Sequence, residues 1–104
     1  MNEAIEVIAE EIDDRAESLD GIERSSEGQS VTYSRAGRLF AVADAAGFEF
    51  FVGNVIAGAA LHTPEVSPGP GGPEWVRFAP SEVDQPAVDR AVAWFEAAWR
   101  RAES

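Results

Sequence analysis

The chain lacks cysteine and lysine altogether and has one histidine and one tyrosine among its 104 residues. Without cysteine it can form no disulfide, thiolate nucleophile, zinc knuckle or iron–sulfur cluster. Long apolar runs are also missing: the most apolar window, residues 50–61, is interrupted by glycine and asparagine and is shorter than the roughly 20 residues that span a bilayer. The first residues show no secretory signal, so we expect a cytoplasmic protein without membrane contact.

Basic residues are scarce, and all eight of them are arginine, against 19 acidic residues and a net charge of −11. This balance disfavours nucleic acid as a partner, because affinity for a phosphate backbone comes from basic side chains that displace counterions. The acidity is uneven: residues 1–27 hold ten acidic residues and two arginines. Two interpretations stay open, namely a solvated surface adapted to a salt-rich cytoplasm and an acidic surface that binds a basic partner or cations.

The length and the absence of a linker predict one domain over residues 1–104. Its first element is a helix over about 3–19, with Asn2 as the N-cap and Gly21 as the stop. One face carries apolar residues at helical spacing, and the opposite face is almost entirely acidic.

Strands follow, with apolar residues at every second position over about 29–34, 38–43 and 48–52. Two tight turns join them, which predicts an antiparallel meander. Asn54 is a candidate cap for a short helix over about 55–61.

The second half begins with residues 63–73, whose prolines and glycines exclude a helix or a central strand. A fourth strand over about 74–79 precedes a helix over about 85–102, with Asp84 as its cap and Pro86 in its first turn. The predicted class is α+β in the order α-β-β-β-α-β-α. We expect an antiparallel sheet of about four strands with the N- and C-terminal helices packed on one face.

Several of these segments resemble one family. Residues 35–41, RAGRLFA, look like the G-[KR]-x-F-A hairpin of the MmcQ/YjbR-like family of small bacterial domains. The segment TPEVSPGP at 63–70, followed by WVRF at 75–78, is similar to that family's proline-containing loop and Trp-led strand. The resemblance covers roughly residues 20–102, and a fainter one extends to a related luciferase-like set without an assigned activity.

The resemblance implies a double-wing, DNA-binding-like fold. Many relatives carry a basic or imidazole side chain where this chain has Glu74, directly before Trp75. Together with the absence of lysine, this ranks DNA binding as the weakest of the functional alternatives.

The acidic helix face is a candidate cation site, with Glu10, Asp13, Asp14 and Glu17 as its metal ligands. Eight pairs of acidic residues stand three or four positions apart along residues 3–20, which amounts to roughly 1.5–4 kcal/mol of repulsion. Salt, divalent cations or a basic partner would relieve this repulsion. Solvation of the face in a salty cytoplasm remains the alternative.

Candidate residues for a ligand or partner lie mainly in the second half of the chain. Trp94 falls off the apolar stripe of its helix and Trp75 starts a strand beside the proline- and glycine-rich loop, so both suit an interface or a pocket rim. Trp99 falls on the stripe and suggests core. Three arginines could together form an anion site or could pair with the chain's own carboxylates. They are Arg35, Arg38 and Arg77. The candidates are Trp75, Arg77, Arg38, Trp94 and His62.

The sequence shows no catalytic constellation and no phosphate-binding glycine motif, and it predicts no cofactor. His62 lacks an identifiable partner, so a loop histidine is favoured, and a hydrolase-like enzyme that uses His62 and nearby acidic residues is a third, weaker alternative. We therefore expect a non-enzymatic binding or interaction domain of MmcQ/YjbR-like type whose ligand is unidentified, with a protein partner or a homodimer as candidates. Cation binding on the acidic helix is the main alternative.

Overall fold

The computed structural model describes residues 3–103, so the predicted cap Asn2 lies outside the described residues. This part of the chain forms three helices and six strands, and its helices agree with the predicted ones to within two residues. Their bounds are α1 (Glu3–Glu17), β1 (Ile22–Glu27), β2 (Ser30–Arg35), β3 (Arg38–Asp44), β4 (Gly47–Phe51), α2 (Asn54–Ala60), β5 (Val66–Pro68), β6 (Trp75–Phe78) and α3 (Gln85–Glu103).

The sheet is antiparallel in the order β1-β2-β3-β4-β6-β5, which confirms the α+β class. The predicted count of about four strands was wrong, because both edge strands were missed. β1, with the sequence IERSSE, is mostly exposed and shows no apolar alternation, while β5 has three residues and ends in Pro68. Edge strands bond to one neighbour only, so they tolerate sequences that would not suit a central strand.

The core lies on one face of this sheet, under α1 and α3, as the amphipathic pattern predicted. Tyr33, Phe50 and Val76 point to that face from three different strands and are almost fully buried. Residues at alternate positions, such as Glu49 and Arg77, point to the opposite and partly exposed face. No helix among residues 3–103 is long and apolar enough to cross a membrane.

A β-bulge interrupts the alternation in β3. Tyr33 pairs with Ala41 but the next residue, Ser34, pairs with Leu39, so Phe40 is the extra residue of the bulge. Its ring lies in the core, 5.4 Å from the ring centroid of Phe95. The bulge therefore buries a side chain that regular alternation with Ala41 would place on the opposite face.

The helix starts differ in how well they were predicted. Asp84 Oδ1 accepts a hydrogen bond from Ala87 N at 2.9 Å, which confirms the predicted cap of α3. The predicted cap of α2 was wrong: Asn54 is already helical, and Gly53 occupies the cap position without a side-chain hydrogen bond. Gly53 has a φ of 90°, which favours glycine at this junction.

We expect Gly47→Ala to lower the free energy of unfolding by about 1–3 kcal/mol, because the new Cβ would lie 2.7 Å from the carbonyl oxygen of Phe78. Gly58 in α2 is the matched control, since a Cβ there meets open space. Gly58→Ala should raise the same quantity by about 0.5–1 kcal/mol, the usual gain for glycine in a helix interior. Urea denaturation of both variants measures the difference, and changes of equal sign would contradict the crowding at Gly47.

Candidate functional site

Trp94 borders a shallow apolar groove between α2 and α3. One side of its indole packs edge-on against Phe78, with ring centroids 5.3 Å apart. The groove has a volume of about 270 Å³. Its lining consists of Val55, Ile56, Ala59, Ala60, Thr63 and Trp94. Trp94, a candidate interface or pocket-rim residue in the sequence analysis, is half-buried and lines this groove.

The outward side of α2 is apolar and exposed. Val55 is 87% exposed and Ile56 38%, and Leu61, directly after the helix, is 44% exposed. The stretch from Val52 to Leu61 contains no charged residue, although the chain has a net charge of −11. We call Val55, Ile56, Ala59 and Trp94 the α2 surface.

Trp75 is partly buried and packs against Phe51 and the glycine-rich loop. Its ring lies 5.5 Å from that of Phe51, and Gly69 and Gly71 of the glycine-rich loop approach it closely. A Cβ on Gly69 or Gly71 would come within 2.8 Å of Trp75. The loop therefore packs closely on this indole, and Trp75 does not line the α2 surface.

The three candidate arginines do not converge. Arg77, on the open face of the sheet, forms ion pairs with Glu49 at 3.1 Å and Asp44 at 3.3 Å. Arg35 lies on the helix side, with its guanidinium carbon 4.0 Å from the ring centroid of Trp99. Arg38 is exposed in the hairpin. Arg38 pairs with Arg35 across the β2–β3 hairpin, whereas Arg77 is paired with the chain's own carboxylates on the other face, so the three arginines do not form one cluster.

Trp99 is less buried than its place on the apolar stripe suggested. Arg35 covers its ring and donates from Nη1 to the Trp99 carbonyl oxygen at 3.0 Å. The indole Nε1 donates to the carbonyl oxygen of Asp20 at 2.8 Å. Trp99 thus joins the end of α3 to β2 and to the chain after α1.

His62 lies exposed in the turn after α2, where its backbone N donates to Ala59 O at 3.2 Å. General acid–base catalysis requires an oriented imidazole near a reacting group, which an open surface position does not provide. The hydrolase-like alternative therefore has no geometric support.

The acidic face of α1 is not uniformly solvated, because Asp13 turns toward the sheet. Its Oδ1 accepts hydrogen bonds from the Tyr33 hydroxyl and from Arg24 Nε, the latter at 3.0 Å. Its Oδ2 accepts from Arg24 Nη2 at 3.3 Å, so the guanidinium is held by two bonds. One arginine of β1 thereby neutralises a carboxylate of α1.

Burial raises the pKa of Tyr33, and its hydrogen bond to Asp13 adds to the increase. Both causes favour the neutral phenol, since a phenolate would be desolvated and would face the carboxylate. The hydrogen bond to Asp13 also raises the pKa of Arg24. The three side chains therefore form a charge-paired cluster in which tyrosine stays protonated.

A trench runs along α1 on either side of this cluster. One part, of about 400 Å³, is lined by Ala16, Glu17 and Ile22 with the Asp13–Arg24 pair. The other part, of about 380 Å³, shares that pair. Its further lining consists of Ile5, Glu6, Ala9, Glu10, Gln29, Val31, Ala43 and Asp44. We call the two parts together the α1 trench.

The predicted metal ligands do not form a metal site. Asp13 is occupied by Arg24 and Tyr33, whereas Glu10, Asp14 and Glu17 are exposed along the helix. Within residues 3–103 no three acidic or imidazole groups are placed to hold a metal ion. The cation-binding alternative thus lacks a preformed site on this helix.

Sequence reasoning missed the Asp13–Arg24–Tyr33 cluster. Its members are 11 and 20 positions apart, and no spacing rule connects a helix to two strands in this way. The sequence did contain one signal: Arg24 is the first basic residue after the acidic segment 3–20. Recognising β1 as a strand was required to place it beside α1.

Comparison of the chain with protein-family models, curated proteins and solved structures gives no match. We therefore infer function from the geometry of the α2 surface and the α1 trench.

Proposed function

We propose that this protein is a non-enzymatic interaction domain that binds a protein partner through the α2 surface. The observation that carries the proposal is the exposure of Val55 and Ile56 on α2, a helix without charged residues. Both side chains line one groove with Trp94 of α3. A contiguous apolar surface rimmed by polar residues is typical of a protein contact. Aromatic residues such as tryptophan are enriched at the centres of such contacts.

Electrostatics favours the same surface. The chain has a net charge of −11, but residues 52–61, which include α2, carry no charged side chain. Burying the α2 surface yields about 25 cal/mol per Å² of apolar area. The carboxylate beside Val55 and Ile56, that of Glu74, is already paired with Arg101.

The proposed partner is a protein, and a second copy of the chain meets the same chemical requirement. The MmcQ/YjbR-like resemblance of residues 20–102 belongs to this proposal and supplies no activity of its own. DNA is not the proposed ligand, because an uncharged apolar surface offers no phosphate contacts.

Photo-crosslinking in the producing cells tests the proposal. Benzoylphenylalanine placed at Val55, whose side chain points into solvent, should give one or a few discrete covalent adducts. Adding Ile56→Asp should reduce their yield by about fivefold or more, because a buried unpaired charge costs several kcal/mol. Denaturing electrophoresis and mass spectrometry identify the adducts, and an adduct of two identical chains indicates a homodimer.

The matched control places the same crosslinker at Glu82, which is exposed in the turn before α3. We expect no discrete adduct from this position. The same products from both positions, or none from Val55, would show that the α2 surface has no partner.

A further inference from the structure

Arg24 shows which chemical group the α1 trench accepts. The guanidinium lies across the trench from β1 to α1, with both Asp13 oxygens as acceptors. Both side chains are partly exposed, so this pair sits at the surface of the trench and solvent reaches it. A planar guanidinium with two parallel bonds to a carboxylate is the geometry by which proteins recognise arginine.

The trench has more acidic groups than Arg24 neutralises. Glu6, Glu10 and Glu17 are exposed along its α1 wall. None of the three belongs to an ion pair within the described part of the chain. A ligand with several positive charges would therefore find acceptors on both sides of the Asp13–Arg24 pair.

The floor of the trench is apolar. Ile5, Ala9, Val31 and Ala43 contribute to it beneath the acidic rim. Arginine and lysine carry aliphatic stems that pack on apolar surface while their charged ends reach polar groups. An apolar floor with a carboxylate rim thus fits a basic side chain better than a small inorganic cation.

β1 provides a backbone edge beside the trench. It is the terminal strand of the sheet, so among the described residues no strand pairs with its outer side. It contains no proline and keeps six residues in strand conformation. Extended peptides bind such edges by main-chain hydrogen bonds, and neighbouring grooves accept their alternate side chains.

We propose that the α1 trench and the outer edge of β1 together bind an extended basic segment of a protein partner, with its arginine side chains on the α1 carboxylates. One incoming guanidinium takes the place of Arg24 on Asp13, and others reach Glu10 and Glu17. This site shares no residue with the α2 surface, so either can be correct without the other.

Fluorescence anisotropy with a short labelled peptide of alternating arginine and valine tests this proposal. At about 50 mM salt the full chain should bind it, and raising the salt should weaken the affinity by screening. A peptide with citrulline in place of arginine has the same shape without the charge and should bind at least about tenfold more weakly. Equal affinity for the two peptides would overturn the proposal.

Two double variants of equal net charge locate the site. Glu10→Gln with Glu17→Gln should raise the Kd for the arginine peptide by about fivefold to tenfold, as two partly exposed ion pairs are lost. Glu82→Gln with Asp89→Asn removes the same charge from residues that do not line the trench and should leave the Kd within about twofold. Equal weakening by both variants would show that the peptide senses only the overall charge.

Arg24→Gln tests the exchange on Asp13. It vacates the carboxylate and should tighten peptide binding by about threefold or more. Arg90→Gln makes the same change in net charge at an exposed position of α3 and should leave the affinity unchanged. Weaker binding by a folded Arg24→Gln chain, or full displacement of the peptide by spermine at equal charge concentration, would overturn the extended-segment form of the proposal.

Discussion

Phe40→Ala is expected to lower the free energy of unfolding by about 3–5 kcal/mol, the usual loss when a large aromatic is deleted from a packed core. Phe40 is fully buried, and its ring packs on Phe95 and on Tyr33, with centroids 5.4 and 6.5 Å away. This is a large fraction of the roughly 5–15 kcal/mol that a small domain has in total. The variant should therefore be only marginally folded at room temperature.

Leu39 provides the control, since it is the neighbouring residue and is 41% exposed. Leu39→Ala should cost about 0.5 kcal/mol or less, as is usual for surface positions. Urea denaturation followed by tryptophan fluorescence compares the two variants. If Phe40→Ala proved as mild as Leu39→Ala, the bulge would not place Phe40 in the core.

Alkaline titration should destabilise the protein above about pH 10, with an initial slope that approaches 1.4 kcal/mol per pH unit. Burial and the hydrogen bond to Asp13 raise the pKa of Tyr33 in the folded state. The unfolded chain thus loses the phenolic proton at a lower pH than the folded one. The contribution of protonated Tyr33 to the free energy of unfolding is fully present below the pKa of about 10 in the unfolded chain. It is lost as the pH rises toward the pKa in the folded state.

The composition leaves Tyr33 as the only side chain that titrates near pH 10. It is the only tyrosine, and lysine and cysteine are absent. Absorbance at the phenolate wavelength should show ionisation delayed above the ordinary range in the folded protein. In about 6 M urea it should return to about pH 10.

Tyr33→Phe is the matched control, because it keeps the ring and removes the ionisable group. Its unfolding free energy should lose the decline above pH 10 that the wild type shows. A wild-type phenol that titrates at its ordinary pKa while the chain remains folded would contradict the buried Tyr33–Asp13 pair.

The repulsion counted along the first helix is relieved in part inside the molecule. Arg24 of β1 binds Asp13 of α1. Arg15 of α1 pairs instead with Glu96 of α3, at 3.4 Å. Salt, cations or a basic partner were the expected sources of relief, and the chain's own arginines were not among them. The carboxylates of Glu6, Glu10 and Glu17 are in neither of these pairs, and all three line the α1 trench.

Much of the fold could be predicted because its central elements have regular periods. The helical spacing in α1 and α3 and the alternation in β2, β4 and β6 each report one buried face. Turn residues such as Gly37, with a φ of 80°, separated the strands correctly. The edge strands β1 and β5 could not be predicted, since neither has a buried face to impose a pattern.

By itself, the sequence determined the composition, the absence of thiol chemistry, the acidic first quarter and the α+β order of the main elements. It also indicated Trp94 as a rim residue, because that indole falls off the apolar stripe of its helix. These properties are local, so a window of a few residues contains the information.

Only the tertiary structure decided which side chains meet. It placed Arg35 and Arg77 on opposite faces of the sheet, moved Phe40 into the core through a bulge, and brought Arg24 and Tyr33 to Asp13. The physical reason is that strand register and edge pairing depend on contacts between distant segments, and a shift by one residue exchanges the two faces of a strand. The acidic residues of α1 thus line a trench with an apolar floor because β1 pairs with β2 and α1 packs over the sheet.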